Sequence, residues 1–334
     1  MTPRQCVIAA LNFQTPARIP VDVRCTQDMQ TEMIAFTSDP NYINKYIEPA
    51  FLRVDLEEPG TSPRTGYYLD IFGVLWNRTI DKNIGVIENT VITPDNLAKY
   101  QFPQPLPDHY LHTCRSTLLA NHRQYRIPRL NLSLWERAWT LRGMENLMMD
   151  LIADPDFAAD LFTRICDYNC LVLTQAIKHL PCEGIYFGDD WGTQIGLQMS
   201  PQTWRTLIKP HLKRIYALVR DAGKYVSIHS CGKVQELFDD LIDIGVNSFN
   251  PFQPEVIDID RATRAYKNRL CFWGGISTQA TLPFATQDQV RAEVKHILDL
   301  GRSGGIIATP SHSIAPGTNP KNIIAMLETM RDFA

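Results

Sequence analysis

A histidine and a cysteine stand two residues apart in this sequence, directly after a short apolar run. His229 and Cys231 follow the run that ends at residue 228, and a second histidine, His312, follows the apolar run 305–308. Imidazole and thiolate groups are common ligands of zinc in proteins. Three protein ligands with one open position describe a catalytic rather than a structural zinc site. The sequence therefore predicts that His229, Cys231 and His312 bind a metal ion.

The same residues also permit an interpretation without a metal. In that case His229 and Cys231 are hydrogen-bonded packing residues, and His312 is an acid/base group. Because the ligand set is incomplete, the spacing does not choose between the two interpretations.

Two adjacent carboxylates, Asp189 and Asp190, follow the apolar run 184–188. Consecutive side chains at a strand end point in different directions, so one member of the pair is expected to enter the site. There it can orient a histidine, bind a cationic ligand or act as a general base. The alternative is an N-cap or a salt bridge within the loop. We predict that one of the two acts in catalysis together with His312.

Glu136 and Arg137 follow the apolar run 127–134, and Trp191 follows the aspartate pair. Arg137 is a candidate clamp for a substrate carboxylate, with a buried ion pair as the alternative. Trp191 belongs to a group of tryptophans near these loops, which either pack in the core or wall a ligand pocket. Glu136, Arg137 and Trp191 are the predicted substrate-binding residues.

Short apolar runs alternate with amphipathic stretches from about residue 126 onward, which predicts a parallel sheet with helices outside it. In such folds ligands meet the carboxyl ends of the strands, where the reactive residues stand. A closed barrel and an open doubly wound sheet both fit the alternation, although no Gly-x-Gly-x-x-Gly follows the first strand. The predicted strands are 127–134, 184–188, 225–229, 246–250, 270–275 and 304–309.

The first hundred residues have a different pattern. A predicted helix over 3–12 is followed by a strand-like run at 19–23. Residues 66–79 and 84–92 are rich in aromatic and β-branched residues and predict antiparallel strands joined by a polar turn. The proline-dense segment 102–108 predicts a linker.

A longer helix is predicted over 200–221. Ser200 is its expected N-cap, and Pro201 occupies the first helical position, where a missing N–H costs nothing. Pro210 falls inside this stretch and is expected to kink or divide the helix.

The overall composition excludes several classes of protein. A net charge of −3 and a pI of about 6.2 argue against nucleic-acid or anionic-membrane partners, which need a concentrated basic face. No run approaches the length of about eighteen apolar residues that a membrane span needs, and the N-terminus does not resemble a signal peptide. The eight cysteines are dispersed, as is typical of reduced thiols. We expect a cytoplasmic protein with a small-molecule substrate.

Several ordered segments resemble the uroporphyrinogen decarboxylase superfamily over nearly the whole chain. They are VIAALNFQTPARIPVD, YLDIFGVLW, LWERAWTLRGMENLMMDL, YFGDDWGTQIGLQMSPQTWRTLIKPHLKRI, VSIHSCGKVQELFDDLIDIGVNSFNPFQ, FWGGISTQATLP and GGIIATPSHSIAPGTNPKNIIAM. The resemblance implies an α/β fold, a (β/α)8 TIM barrel with an N-terminal extension, here containing a small antiparallel hairpin, and an active site at the carboxyl ends of the strands. We expect one domain over 1–334, with the extension and first barrel elements in 1–125 and the main barrel in 126–334.

The superfamily contains two chemistries, and the sequence has features of both. Its metal-free decarboxylases need an N-terminal motif of the RQAGRY type, which has no counterpart here, while His312 in PSHSIAPG resembles their GHGI loop. Its corrinoid-linked methyltransferases, similar to methylcobamide:coenzyme M methyltransferase, use zinc held by a histidine and a cysteine two apart plus a later cysteine. His229 and Cys231 match that pair, and His312 stands where the later cysteine would be.

The resemblance therefore implies, as the leading function, a cobalamin-dependent methyltransferase subunit that moves a methyl group between a small substrate and a corrinoid protein with the help of zinc. Methylcobalamin would be supplied by the partner corrinoid protein. The first alternative is a metal-free decarboxylase, with Asp189 or Asp190 and His312 in acid/base roles. The second is a barrel that only binds a tetrapyrrole or a partner protein. The sequence leaves open the methyl donor and acceptor and the oligomeric state, a homodimer included.

Overall fold

Ten β-strands form two separate sheets in the computed structural model, which describes residues 1–334. In chain order the strands are β1 Phe51–Asp55, β2 Tyr67–Leu69, β3 Leu75–Asn77, β4 Val86–Ile87, β5 Tyr125–Leu130, β6 Gly184–Gly188, β7 Tyr225–His229, β8 Ser248–Phe252, β9 Cys271–Ile276 and β10 Ile306–Pro310. Seven of them pair in parallel in the order β1-β5-β6-β7-β8-β9-β10. Each strand of this sheet thus pairs with the next parallel strand along the chain, as the alternation of strands and helices predicts.

A short extended segment near the N-terminus lies between the two edge strands of this sheet. Val21 forms a single parallel β-bridge with Ala308 in β10, and the Val21 carbonyl accepts a hydrogen bond of 3.0 Å from the N–H of Ala50, just before β1. Pro20 has no N–H to donate, which interrupts regular pairing. The run predicted as a strand at 19–23 therefore bridges β10 and β1 without forming a regular strand. The result is an α/β fold with a curled, barrel-like parallel sheet.

Helices surround the parallel sheet and precede it. They are α1 Pro3–Leu11, α2 Gln27–Thr37, α3 Tyr42–Tyr46, α4 Asp108–Leu119, α5 Trp135–Arg142, α6 Met144–Ala153, α7 Pro155–His179, α8 Pro201–Thr203, α9 Lys209–Asp221, α10 Phe238–Asp243, α11 Ile259–Ala265, α12 Thr281–Phe284, α13 Gln287–Gly301 and α14 Pro320–Phe333. Short 3₁₀ turns at Leu97–Lys99 and Gln235–Leu237 complete the helical segments. None of the helices combines the length and the apolar composition needed to traverse a bilayer.

The predicted helix over 200–221 is divided, as expected from Pro210. Ser200 caps α8, and a π-helical turn at Trp204–Ile208 separates α8 from α9. Proline inside a helix removes one backbone donor and crowds the carbonyl four residues earlier. The wider π turn accommodates both effects while the chain continues in the same direction.

The antiparallel sheet has three strands rather than the single hairpin predicted. β2 and β3 both lie within the run 66–79, and β3 then pairs with β4. The Asp70 carboxylate accepts hydrogen bonds from the N–H groups of Phe72 (3.0 Å) and Val74 (2.9 Å), which stabilises the turn between β2 and β3. This Asx-type turn lies inside an otherwise apolar run, and the hydropathy pattern therefore conceals it.

Two hydrophobic clusters fill the space on either side of the parallel sheet. The larger one includes the apolar faces of the outer helices. The smaller one includes Val7 and Leu11 of α1 together with Phe51 and Trp273, whose rings stack with centroids 4.1 Å apart. These groups fill the inside of the curled sheet near the amino ends of its strands. Space for a ligand therefore remains at the carboxyl ends.

Two of the six predicted strands, β6 and β7, have the predicted bounds. The other four are shifted: β5 is Tyr125–Leu130 rather than 127–134, β8 is Ser248–Phe252 rather than 246–250, β9 is Cys271–Ile276 rather than 270–275, and β10 is Ile306–Pro310 rather than 304–309. The sequence analysis did not identify β1, because Arg53 and Asp55 interrupt its apolar pattern. The segment 102–108 carries no strand and no helix up to its last residue, as expected of a linker.

Candidate active site

A cavity of about 340 Å³ opens at the carboxyl ends of the parallel strands. Side chains two residues apart in a strand face the same side, so Arg53 lies above Phe51 inside the curled sheet, with its guanidinium 4.8 Å from the ring centroid. The deep positions are apolar and the outer ones polar or charged. A second cavity, of about 460 Å³, lies beside α1 and the two chain termini and contains no cluster of metal-ligating side chains.

Three of the sequence-predicted residues meet beside the cavity at the carboxyl ends of the strands, and two of them, His229 and His312, line it. One ligand atom each from His229, Cys231 and His312 lies within 4.8 Å of the other two, and the His229 Nε2 to Cys231 Sγ distance is 3.3 Å. Ligands of a tetrahedral zinc ion are separated by about 3.5 Å, given Zn–S and Zn–N bonds of about 2.3 and 2.0 Å. The donor types and their spacing therefore fit zinc with small adjustments.

Glycine is required directly after Cys231. Gly232 has a φ of +87°, and a Cβ at this position would lie 2.6 Å from the carbonyl oxygen of Thr193. This turn directs the chain away from β7 while the Cys231 side chain remains beside His229.

Asn250 in β8 determines which nitrogen of His229 faces the other donors. The Asn250 Nδ2 donates to the carbonyl of Trp273 at 2.9 Å, which orients Oδ1 toward His229 Nδ1 at 2.6 Å. Since Oδ1 only accepts, Nδ1 must carry the hydrogen and Nε2 retains its lone pair. The Tyr186 hydroxyl donates to the same Oδ1 at 2.9 Å. The sequence analysis did not identify Asn250 or Tyr186.

Asp190 lies beside the cysteine of this cluster. Its Oδ1 accepts a hydrogen bond of 2.7 Å from the Cys231 N–H and lies 3.7 Å from His229 Nε2. Burial, followed by the charge of Asp190, raises the pKa of the Cys231 thiol above its usual range. A cation among these groups would reverse that effect and favour the thiolate.

His312 is the most accessible of the three donors. Although its ring is open to the cavity, partial desolvation lowers the pKa of His312 below 6.5, and repulsion from His229 acts in the same direction. The two ring centroids are 5.6 Å apart. A neutral imidazole is the form that binds metals, so this environment keeps His312 competent as a ligand at neutral pH.

The two adjacent aspartates have different surroundings. Asp190 lines the cavity, whereas Asp189 is fully buried and accepts hydrogen bonds from the N–H groups of Leu134, Trp135 and Glu136 at 3.4, 3.1 and 2.7 Å. Burial raises the pKa of Asp189 to about 7, although these donors act in the opposite direction. Asp189 thus caps the start of α5, and its position outside the cavity does not fit the predicted catalytic role.

Arg137 does not line the cavity. It is buried, donates to Glu57 at 2.8 Å and Asp70 at 3.0 Å, and stacks on the ring of Phe72. The clamp prediction does not fit this position, because both carboxylates already occupy the guanidinium. The alternative of a buried ion pair fits.

The neighbouring residue Glu136 does line the cavity. Burial, then the charges of Asp190 and Asp189, raises the pKa of Glu136 well above its usual value. These surroundings therefore favour the protonated form of the Glu136 carboxyl group, which is the form that can act as a proton donor.

Trp191 is also turned away from the cavity. Its side chain is fully buried, its indole N–H donates to Asp189 at 3.0 Å, and its ring packs edge-on against Trp204 with centroids 5.3 Å apart. The predicted contact with substrate does not fit this position. The core-packing alternative fits, and Trp273 is the tryptophan that lines the cavity.

Three arginines that the sequence analysis did not single out also line the cavity. They are Arg24, Arg53 and Arg129. Arg53 stands in the middle of β1 and Arg129 near the end of β5, and a charge within an apolar strand is the signal that could have identified them.

Comparisons with known proteins agree with this architecture. The family model described as Uroporphyrinogen decarboxylase (URO-D) matches residues 77–333. A methyltransferase from Methanosarcina mazei has a similar structure, with a TM-score of 0.74 and 16% identity over 100% of this chain and 99% of that chain. A glycosylated endo-β-1,4-xylanase of glycoside hydrolase family 10 from Gloeophyllum trabeum has a TM-score of 0.50 and 11% identity, covering 99% of both chains.

Identities this low indicate a shared fold and no more. No curated protein matches the chain. The family model, in contrast, covers most of the sequence, from the last residue of β3 to the end of α14. The chain therefore belongs to the uroporphyrinogen decarboxylase family.

Proposed function

We propose that this protein is a methyltransferase subunit that moves a methyl group between a small substrate and a corrinoid protein, with zinc bound by His229, Cys231 and His312. The observation that carries the proposal is the convergence of two imidazoles and one thiol within 4.8 Å, with both imidazoles lining the cavity. The likeness in fold to a protein named as a methyltransferase is consistent with it. The match to the family supports an enzyme.

The donor set fits a catalytic zinc site, because three protein ligands leave one position for a substrate atom. When bound, zinc supplies Lewis acidity, which lowers the pKa of a substrate thiol or polarises a substrate oxygen or nitrogen. Asn250 holds His229 in the tautomer that leaves Nε2 free. Asp190 holds the backbone of Cys231 and adds a negative charge near the donors.

Glu136 is the proton donor of the cavity in this proposal. The raised pKa of Glu136 favours its protonated form beside Asp190. A protonated acid at the cavity wall can donate to a leaving heteroatom when a methyl group departs from it. Asp190 takes no part in this proton transfer and continues to accept the hydrogen bond from the Cys231 N–H. In that direction the corrinoid partner would accept the methyl group through the cavity mouth, and in the reverse direction methylcobalamin on the partner would supply it.

The metal is tested by elemental analysis of the purified protein. We expect zinc near one equivalent in the natural protein and a strong loss in His229→Ala. His179→Ala, which removes an exposed histidine at the end of α7, is the matched control and should retain the metal. Full zinc in His229→Ala, or none in the natural protein, contradicts the proposed site.

The transfer is tested by the cobalt spectrum of a cognate corrinoid protein mixed with the enzyme and methyl donors. Conversion between cob(I)alamin and methylcobalamin is expected, and His312→Ala should abolish it. An unchanged spectrum with every methyl donor tried counts against methyl transfer.

A metal-free decarboxylase is the second candidate, favoured by the description of the matching family and by Asp190 and His312 facing one cavity. In that mechanism one of the two residues delivers a proton to the substrate carbon from which carbon dioxide has left. Release of carbon dioxide by metal-free protein would favour it over methyl transfer.

We further propose that residues 1–334 form a single (β/α)8 domain in which the bridging segment near Val21 takes the place of the eighth strand. A cytoplasmic location is proposed as well, because all eight cysteines are free thiols.

A further inference from the structure

The second cavity, of about 460 Å³, borders the seam between the two edge strands of the parallel sheet. At this seam Val21 forms only a single β-bridge with Ala308, and Pro20 has no N–H with which to pair. Ile19, Pro20 and Val21 line the cavity from one side, and Ala50, the residue before β1, lines it as well. The irregular segment that stands in for an eighth strand is therefore one wall of this space, which we call the seam cavity.

The inner wall of the seam cavity is apolar and excluded from solvent. Cys6 of α1, Ile47 after α3 and Met330 of α14 line it, and each exposes 6% or less of its surface. Apolar side chains that face open space lack the contacts that packed neighbours would provide. The apolar part of a ligand would supply these contacts and would itself be removed from water. The wall therefore favours a ligand with an apolar body.

Charged residues with an excess of positive charge also line the seam cavity. Arg18, Arg123, Arg331 and Glu48 belong to this set, and all four are exposed. Glu48 neutralises Arg123 in a two-point ion pair at 2.8 and 3.1 Å, and Arg331 pairs with Asp332 at 2.7 Å. Because these groups lie in solvent, a charged ligand group beside them would keep much of its hydration. The excess of arginine favours an anionic group over a cationic one.

The seam cavity is separate from the cavity at the carboxyl ends of the strands. No residue lines both. Ile19 and Val21 line the first and Asp22 and Arg24 line the second, so the same extended segment contributes to both walls. A ligand in the seam cavity is therefore distinct from the substrate of the proposed reaction.

We propose that the seam cavity is a second ligand site that binds a small amphipathic anion, with its apolar body against Cys6, Ile47 and Met330 and its anionic group among the exposed arginines. The volume of about 460 Å³ lies within the range of about 300–1,000 Å³ found for small-molecule sites. A medium-chain carboxylate has this chemistry. The inference depends neither on methyl transfer nor on a metal.

The test measures binding to the full-length protein by isothermal titration calorimetry. The probes are octanoate, its neutral isostere octanamide, and acetate, which has the charge without the chain. We expect octanoate to bind and acetate to give no binding at the same concentration, because the apolar body carries most of the affinity. Octanamide should bind about two- to fivefold more weakly than octanoate, since contacts with exposed charges contribute little.

Two matched variants locate the bound octanoate. Ile47→Trp places a larger ring in the seam cavity and should raise the Kd of octanoate by roughly tenfold or more. Ile84→Trp makes the same change at a largely exposed residue of the other cavity and should bind octanoate like the natural protein. Cys6→Met fills the seam cavity by a smaller amount and should also weaken binding. Thermal unfolding of each variant identifies any that has lost its fold.

The anionic contact has its own pair of variants. Arg18→Gln should raise the Kd of octanoate about twofold or more and leave that of octanamide unchanged. Arg115→Gln removes an exposed arginine of α4 that makes no ion pair and should change neither.

Several outcomes would overturn the proposal. They are no binding of octanoate at millimolar concentration, equal binding of acetate, and unchanged affinity in the folded variants of Ile47 and Cys6. A loss of affinity confined to Ile84→Trp would place octanoate in the other cavity and equally contradict the seam site. Equal affinity for octanoate and octanamide, with no effect of Arg18→Gln, would contradict the preference for an anion.

Discussion

The two ring nitrogens of His229 have different surroundings: Nδ1 is hydrogen-bonded to Asn250, and Nε2 faces Cys231. The Asn250 amide links His229 Nδ1 to the Trp273 carbonyl through two hydrogen bonds, and these fix the orientation of the ring. Adjacent residues divide their roles by direction in the same way: Asp190 faces the cavity and Asp189 faces the start of α5. The role of each residue therefore depends on the direction in which its side chain leaves the backbone.

Replacing Asn250 by leucine should weaken metal binding by about 10- to 100-fold, because His229 loses the acceptor that fixes its tautomer. A competition titration with a chromogenic chelator measures the affinity. Asn322→Leu is the control, since Asn322 is also buried and hydrogen-bonded but lies in α14, outside the cavity. An equal loss in both variants would mean that the effect is general destabilisation.

Replacing Asp189 by asparagine should destabilise the fold by about 2–4 kcal/mol. The amide would aim N–H donors at backbone N–H groups that now bind a carboxylate. Chemical denaturation measures the change. Asp190→Asn, which alters a cavity-facing group, is expected to cost much less stability, and a reversed order would contradict the assignment of the two aspartates.

At the scale of elements, strand alternation and ion pairs between helices position the site. Inward-facing residues of β1, β5 and β7 place Arg53, Arg129 and His229 around one cavity. Outside the sheet, Asp240 of α10 binds Arg205 of the π turn and Lys209 of α9, each at 2.9 Å. This cluster joins the helical segments that flank β7, the strand that carries His229 and leads to Cys231.

Asp240→Asn should lower stability by up to about 1 kcal/mol at pH 7. Burial acts to raise the pKa of Asp240, but hydrogen bonds from Arg205 and Lys209 outweigh it and lower the pKa below 3.8. A lowered carboxyl pKa contributes stability above the unfolded value, and this contribution is lost as the pH falls through the folded value. Denaturation at several pH values should therefore show the difference between variant and natural protein vanishing in acid.

At the scale of the whole molecule, the proposed ligands come from strands that are distant along the chain. Cys231 follows β7 and His312 follows β10, and only the folded sheet brings them together. An ion that binds only the folded state stabilises it by mass action. In the proposed site, metal binding and folding are therefore linked.

Zinc at about 100 times its Kd should stabilise the natural protein by about 2.7 kcal/mol. Thermal unfolding with and without zinc measures this shift, and a chelator should reverse it. His229→Ala should show no shift under the same conditions. A shift of equal size in that variant would assign the stabilisation to zinc bound elsewhere.

The sequence by itself determined the alternation of strands and helices, the bounds of β6 and β7, and the residue types at the strand ends. These features follow from local periodicity and from the rule that parallel strands present their carboxyl ends on one face. The sequence therefore groups His229, Cys231 and His312 at one edge of the sheet.

The tertiary structure alone decided which neighbours of these residues face the cavity. Asp190 and Glu136 enter it while Asp189, Arg137 and Trp191 are buried beside it, because rotation at a strand end is set by packing and hydrogen bonding rather than by spacing. Asn250 became visible only through its hydrogen-bond partners. Pairing is a property of three-dimensional distance, which residue order does not contain.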